Sequence, residues 1–256
     1  MFNFAYETAA VTDAELHKLM RDPTELFSRA VQPVLWLALF GQVFSQVRGI
    51  PTGSLRYLDY MAPGILAQSI LFSAIFYGIA IIWERDLGIV HKLLVTPAHR
   101  SALVLGKAVA AGLRGLVQAT VVYLVAIALQ VDILWEPLPM LTVAAGVFIG
   151  SCVFSTFSLV IACIVKTRER FMGIGQLLTM PLFFASNAIY PLELMPAWLK
   201  TIAVLNPLTY LVDALRGAMI VGGKSIYAES TSFGVMLLVF LALLALAAKL
   251  YPELAR

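Results

Sequence analysis

The chain has 256 residues, of which 61% are hydrophobic and only 13% charged, and its mean hydropathy is +0.88. A soluble domain carries about half apolar and about a quarter charged residues, so this composition points to an integral membrane protein. Apolar runs of roughly 20 residues favour helical spans over a barrel, and the net charge of +3 comes with no basic run long enough to bind nucleic acid.

The first 22 residues are polar and mixed. Thr12, with Glu15 three residues on, reads as a capping box opening a short helix. Leu16, Leu19 and Met20 share one face, with His17, Lys18 and Arg21 on the others, as in an amphipathic helix lying on a bilayer. No basic n-region, short apolar core and cleavage site precede it, so no signal peptide is expected and the first span serves for insertion. Asp22 as N-cap, Pro23 at the first helical position and Glu25 then open a first span from about Leu26 to Val47. Arg29 near its start can snorkel to the headgroups. After a loop holding Gly49, Pro51, Gly53 and Ser54 comes a second span, about Tyr60 to Trp83. Gly64, Ser69, Ser73 and Gly78 give it small side chains for close helix packing.

A polar stretch, Glu84 to Pro97, interrupts the apolar runs. Leu87, Val90 and Leu94 recur at helical spacing with Leu93 beside them, and His91 and Lys92 fall on the other side. Pro97 ends this short helix by pushing Thr96 towards an extended conformation. Such a helix is either a contact surface for a partner outside the membrane or a surface helix with no partner.

The third span, about Val104 to Leu129, carries Arg100, Lys107 and Arg114 at seven-residue intervals, with Gln118 one turn later. Seven residues are nearly two helical turns, so the four share a face, and Arg114 lies about 10 Å deeper than Lys107. A charge within a span is a functional candidate by default. For Arg114 the alternatives are snorkelling or a static ion pair, with Glu84 and Asp86 nearest in depth. A loop without Lys or Arg, near Trp135 and Pro137, leads to the fourth span, about Met140 to Val165. Cys152 and Cys163 lie within it and read as packing residues. The tight basic loop Lys166-Thr167-Arg168-Glu169-Arg170 follows. A fifth span from about Phe171 contains Gly173, Gly175 and Pro181, so a bend is expected. From Asn187 to Gly223 prolines and aromatic residues break the pattern into two short helices at the outer leaflet, where Asp213 and Arg216, three apart, read as a helical pair. The last span covers about Thr231 to Leu250. The basic loops around 84–107 and 166–170 stay cytoplasmic, which puts both termini inside.

Taken in order, Glu84-Arg85-Asp86-Leu87-Gly88, Lys92-Leu93-Leu94, Thr96-Pro97 and Leu105-Gly106-Lys107 resemble the cytoplasmic loop of type-2 ATP-binding-cassette (ABC) export permeases. Asn206-Pro207-Leu208-Thr209-Tyr210, followed by Asp213-Ala214-Leu215-Arg216-Gly217, is similar to that family's signature before the last span, and Arg21-Asp22-Pro23 to its opening. The chain departs from the common Glu-x-Gly-Thr pattern at Asp86-Leu87-Gly88-Ile89. Among such permeases it looks most like the drug-resistance exporters of the daunorubicin type.

The resemblance implies an all-α polytopic protein, 1–256 forming one transmembrane domain. It would have six spans, an interfacial helix at 1–22, a cytoplasmic coupling loop at 84–100 and a re-entrant outer region at 187–223. It implies a permease subunit that moves a drug or lipid-like amphiphile out across a bacterial cytoplasmic membrane. A second permease chain would complete the pathway. A separate ATPase would bind the ATP and magnesium and dock on the coupling residues Glu84, Arg85, Asp86, Leu87, Gly88, Val90, Lys92, Leu93, Leu94, Thr96 and Pro97. Export of a polysaccharide or lipid-linked glycan is the neighbouring alternative, and an ATP-independent transporter or channel the distant one. The latter expects carboxylates deep within a span. No catalytic site, cofactor or metal site is expected in this chain. Ala218 to Ser225 has the letters of a phosphate-binding loop, yet it lies between membrane segments and not between a strand and a helix, which makes it a chance match.

Overall fold

Every extended element among the described residues is a helix, as hydrocarbon requires of a chain that must satisfy its backbone polar groups internally. The computed structural model describes residues 3–21, 31–41, 43, 55–165 and 167–255. The first helix, α1, spans Phe4–Arg21. Residues 31–41 are helical and end in a π-helical stretch, Trp36–Gly41. Then come α2 (Tyr57–Asp86), α3 (Ile89–Val95), α4 (Arg100–Ala128), α5 (Pro137–Ile164) and α6 (Arg168–Phe184). A 3-10 turn at Leu192–Leu194 precedes α7 (Ala197–Leu205) and α8 (Pro207–Met219). The last helix, α9 (Glu229–Leu250), runs on into a 3-10 turn at Tyr251–Ala255.

Among the described residues, four helices are long and apolar enough to cross a membrane: α2, α4, α5 and the run Glu229–Leu254. The sequence predicts six. The first, about Leu26 to Val47, is described only at 31–41 and 43, where it is helical, and its start signal at Asp22, Pro23 and Glu25, Arg29, the 49–54 loop and Lys166 lie outside the described residues. The fifth corresponds to α6, which has 17 residues, short of the roughly 20 that a spanning helix needs. Its bounds have local causes: Thr167 caps its start by accepting from the Arg170 N–H, and Pro181 lies one turn from its end. The helix α5 starts with Pro137 at its first position, where the missing N–H costs nothing.

The N-terminal helix corrects one expectation. It begins at Phe4, two turns before Thr12, so the capping box does not form. The Thr12 hydroxyl instead bonds the carbonyls of Thr8, at 2.9 Å, and Gly106, at 3.1 Å. Leu19 is buried with Glu7 and Glu15, whereas Met20 is 79% exposed. The buried stripe of α1 lies on α4 at Gly106, where a Cβ would come within 2.7 Å of Val11. A side chain there would push α1 off.

Two apolar cores fill the bundle. One joins α2, α4, α5, α8 and α9 around Ile65, Leu66, Leu211 and Leu215. The other gathers Ile81, Ile82, Val90, Leu103, Phe171 and Tyr251 at the α3 end. At the far end the loop after α4 is stitched to the end of α8: Leu134 donates to the Met219 carbonyl and Val221 to that of Asp132, both at 2.9 Å. Asp213 and Arg216 do not form the helical pair that their spacing predicts. Asp213 accepts the N–H groups of Ile226 and Tyr227 at 2.8 and 2.9 Å. Arg216 stacks 3.8 Å from the Tyr60 ring centroid and donates to the Asn187 carbonyl at 2.7 Å. Each makes its hydrogen bonds to backbone groups elsewhere in the fold and not to the other.

Candidate functional site: the α3 hairpin and its ionic anchor

The turn from α2 into α3 depends on Gly88. Leu87 and Gly88 donate to the carbonyls of Trp83 and Arg85, at 3.0 and 2.9 Å, and Gly88 takes φ +73°, a left-handed value that side chains disfavour. The seven residues of α3 then end at Thr96, which is extended ahead of Pro97. The Thr96 hydroxyl bonds the Leu93 carbonyl at 2.6 Å.

The apolar side of α3 faces its own chain. Val90 is fully buried, and Leu93 and Leu94 pack against the second core. Leu87 was expected on that side but lies one turn earlier in the connection and is 68% exposed. The outward surface consists of Leu87, His91, Lys92, Val95, Thr96 and Pro97, with Val95 at 87% exposure. The structure thus divides the sequence-predicted coupling residues between an anchoring set and an outward set. Arg85 and Asp86 belong to the anchor: Asp86 pairs with Arg85 at 2.9 Å and with Arg168 at 2.7 Å. Arg168 in turn lies 3.8 Å from the Trp83 ring centroid, so the start of α6 grips the end of α2.

Beneath the hairpin lies a buried ionic cluster drawn from three helices. Lys107 of α4 donates to Glu15 of α1 and to Glu84 of α2, each at 2.7 Å. Arg114, one heptad deeper, donates to the Glu15 carbonyl at 2.9 Å and lies 3.4 Å from its carboxylate. Lys18 bonds Glu15 at 3.0 Å and also Glu84. Tyr77 donates to the Lys107 carbonyl at 2.9 Å. Burial acts to raise the Glu15 carboxyl, but Lys107 and Lys18 overcome it and hold the group at about 2. Glu15 therefore stays ionised, and its charge makes two cations within a span tolerable.

The shared face of Lys107, Arg114 and Gln118 is present and buried, whereas Arg100 is exposed. Arg114 makes an ion pair, as one reading held, but its partner is Glu15 and not Glu84 or Asp86. Glu15 is the residue that sequence reasoning missed. A second tie joins α1 to the hairpin: Glu7 accepts the His99 backbone N–H at 2.9 Å and faces its Nδ1 at 3.1 Å. That N–H is the main cause holding the Glu7 carboxyl below its usual range. His99, isolated in sequence, is therefore engaged. A groove of about 320 Å³ runs between the two segments, lined by Tyr6, Ala10, Val11, Leu93 and Pro97 among others.

The segment that imitates a phosphate-binding loop forms a turn. Gly223 donates back to the Ile220 carbonyl, Ser225 bonds the Asp213 carbonyl, and the next helix begins only at Glu229.

The family described as ABC-2 type transporter matches residues 6–220, a range that contains all but the first two residues of α1, the α3 hairpin and the whole ionic cluster. The chain is 30% identical over 218 residues to a protein of Cyanophora paradoxa named as the transport permease ycf38, covering 84% of this chain and 74% of that one. It is 23% identical over 222 residues to a protein of Mycobacterium tuberculosis named as the doxorubicin resistance ABC transporter permease protein DrrC, covering 84% and 77%. Similarity to Nodulation protein J of Rhizobium leguminosarum bv. trifolii is 23% over 197 residues, covering 76% and 74%.

Proposed function

Because the chain belongs to the ABC-2 type transporter family, we propose that it is the permease subunit of an ABC exporter, driven by ATP and magnesium bound on a separate ATPase. The observation that carries this reading is the two-sidedness of α3. Val90, Leu93 and Leu94 fix it to the bundle, while Leu87, His91, Lys92 and Val95 face outward with nothing of this chain over them among the described residues. A helix held on one side and exposed on the other can take up a push from a docked subunit. The ties from Asp86 to Arg168, from Glu84 to Lys107 and from Glu7 to His99 carry that push to α2, α4, α6 and α1. ATP closing the ATPase dimer shifts the permease between conformations only as far as its contacts with the two differ.

In this arrangement two copies of the chain line the pathway. Each has six spans, with α6 and the segment at about 26–47 completing the four long helices. The α3 hairpin and both termini are cytoplasmic, α1 braces the hairpin at the interface, and α7 and α8 enter the outer leaflet. The exposure of Trp198, Ile202 and Leu205 on α7 supports that last placement. The membrane is the bacterial cytoplasmic membrane. Drug-like or lipid-like amphiphiles are the proposed cargo, by likeness to a relative whose name specifies doxorubicin resistance.

The test uses inverted vesicles holding the permease with its ATPase. Doxorubicin, which is fluorescent, should accumulate only with ATP and magnesium. Accumulation that follows an ion gradient and needs no ATPase would contradict the reading.

A further inference from the structure

Behind Arg114, where α2, α4 and α5 meet, lies a cavity of about 20 Å³ lined by Tyr77, Arg114, Gln118, Ser151 and Ser155 among others. A single water needs about 10–15 Å³ and two to four polar partners. The cavity offers that many: Arg114 Nε, both ends of the Gln118 amide and Ser151 Oγ have no protein partner among the described residues. These side chains are deeply buried, Gln118 at 2%, Ser151 at 6% and Arg114 at 7% exposure. Gly115 shapes the space, since a Cβ there would come within 2.0 Å of Ser151 Oγ.

We infer that this cavity is a binding site for one ordered water, which completes the hydrogen bonding of Arg114 inside the span and links α4 to α5. The donor set distinguishes water from a small anion. An anion accepts only, whereas the Gln118 carbonyl oxygen needs a donor and the serine hydroxyl can do either. The Arg114 charge already has its counter-ion in Glu15, 3.4 Å away. A file of bonded polar side chains links Arg114 to the half-exposed Lys18. The file starts at Lys18, whose side chain is 49% exposed, and passes through Glu84, Lys107 and Glu15 to Arg114, each bonded to the next. The inference stands whether or not the protein exports anything.

Radiolytic hydroxyl labelling in ¹⁸O-water, on the full chain in lipid nanodiscs, tests it. Radicals born at a bound water label the residue beside it even when bulk solvent cannot reach it. Tyr77, 4% exposed, should take up ¹⁸O several-fold faster than Phe183, which is fully buried in the apolar core. Ser151→Val, which fills the space, and Gln118→Met, which removes both amide ends, should each bring Tyr77 down to the Phe183 level. Equal labelling of the two residues in the unsubstituted protein overturns the inference, and that comparison needs no variant to fold. Tyr77 labelling that survives both substitutions places the water elsewhere and also overturns it. A melting temperature that rises with chloride in the unsubstituted protein, and not in Gln118→Met, assigns the site to an anion instead.

Discussion

Glu15 shows how one carboxylate decides what a membrane helix can carry. Without it Lys107 would keep only Glu84, and Arg114 would lose the one carboxylate within reach among the described residues. Removing one partner of a buried ion pair costs about 3–5 kcal/mol, because the other charge stays buried. Glu15→Gln should therefore lower the melting temperature in detergent sharply. Lys18→Ala should change it little, since that side chain is half exposed and an exposed pair is worth about 0–1 kcal/mol. The pH dependence has a fixed sign. The Glu15 carboxyl is held at about 2 against an ordinary 4.5, so its stabilisation is complete above 4.5 and is lost as the pH falls towards 2. Melting temperatures from pH 7 to pH 3 should decline at the acid end, and Glu15→Gln should remove part of that decline. The heptad of bases on α4 was legible from spacing alone. Its counter-charge was not, because Thr12 and Glu15 satisfy a capping-box pattern equally well and the true contact spans 92 positions.

At the scale of elements, the α3 hairpin combines what the sequence displays with what it conceals. Its existence and its inward Val90, Leu93 and Leu94 follow from periodicity, and its stop from Pro97. Which side would be free for a partner does not, since an apolar stripe looks the same whether it packs on its own chain or on another. Gly88→Ala tests the turn. Nothing lies within 4 Å of the added Cβ, so the cost is conformational alone, about 1–2 kcal/mol. The variant should fold, melt slightly lower and couple ATP hydrolysis to transport less well, which an ATPase assay with and without substrate would read. Asp213 is a second case. The i, i+3 spacing to Arg216 suggested a local pair, but the carboxylate holds two backbone N–H groups of the turn before α9. Asp213→Ala removes both of these charge-assisted hydrogen bonds, each worth about 1.5–3 kcal/mol. It should destabilise the protein more than Glu193→Ala, whose side chain is exposed, as thermal unfolding would show.

The whole molecule was legible as a helical membrane protein from composition and apolar run length, and α2, α4, α5 and α9 lie within about four residues of their expected bounds. The helix α6 was harder to place, because Gly173, Gly175 and Pro181 weaken the apolar signal that defines a span. What positions the hairpin, an N-terminal helix seated on Gly106 with its carboxylates reaching His99 and Lys107, depends on long-range contacts that no local pattern encodes. On the proposed function, the outward face of α3 receives an ATPase. The most direct measurement is purification of the tagged chain in mild detergent from its native membrane, quantifying a co-purifying ATP-binding subunit for the unsubstituted protein and for Val95→Asp. Val95 is 87% exposed, so the substitution leaves the core intact and should leave the melting temperature unchanged. A docking face on α3 requires an ATPase in roughly equal amount that disappears in Val95→Asp. An ATPase retained in full by a folded Val95→Asp, or none with the unsubstituted chain, would contradict it.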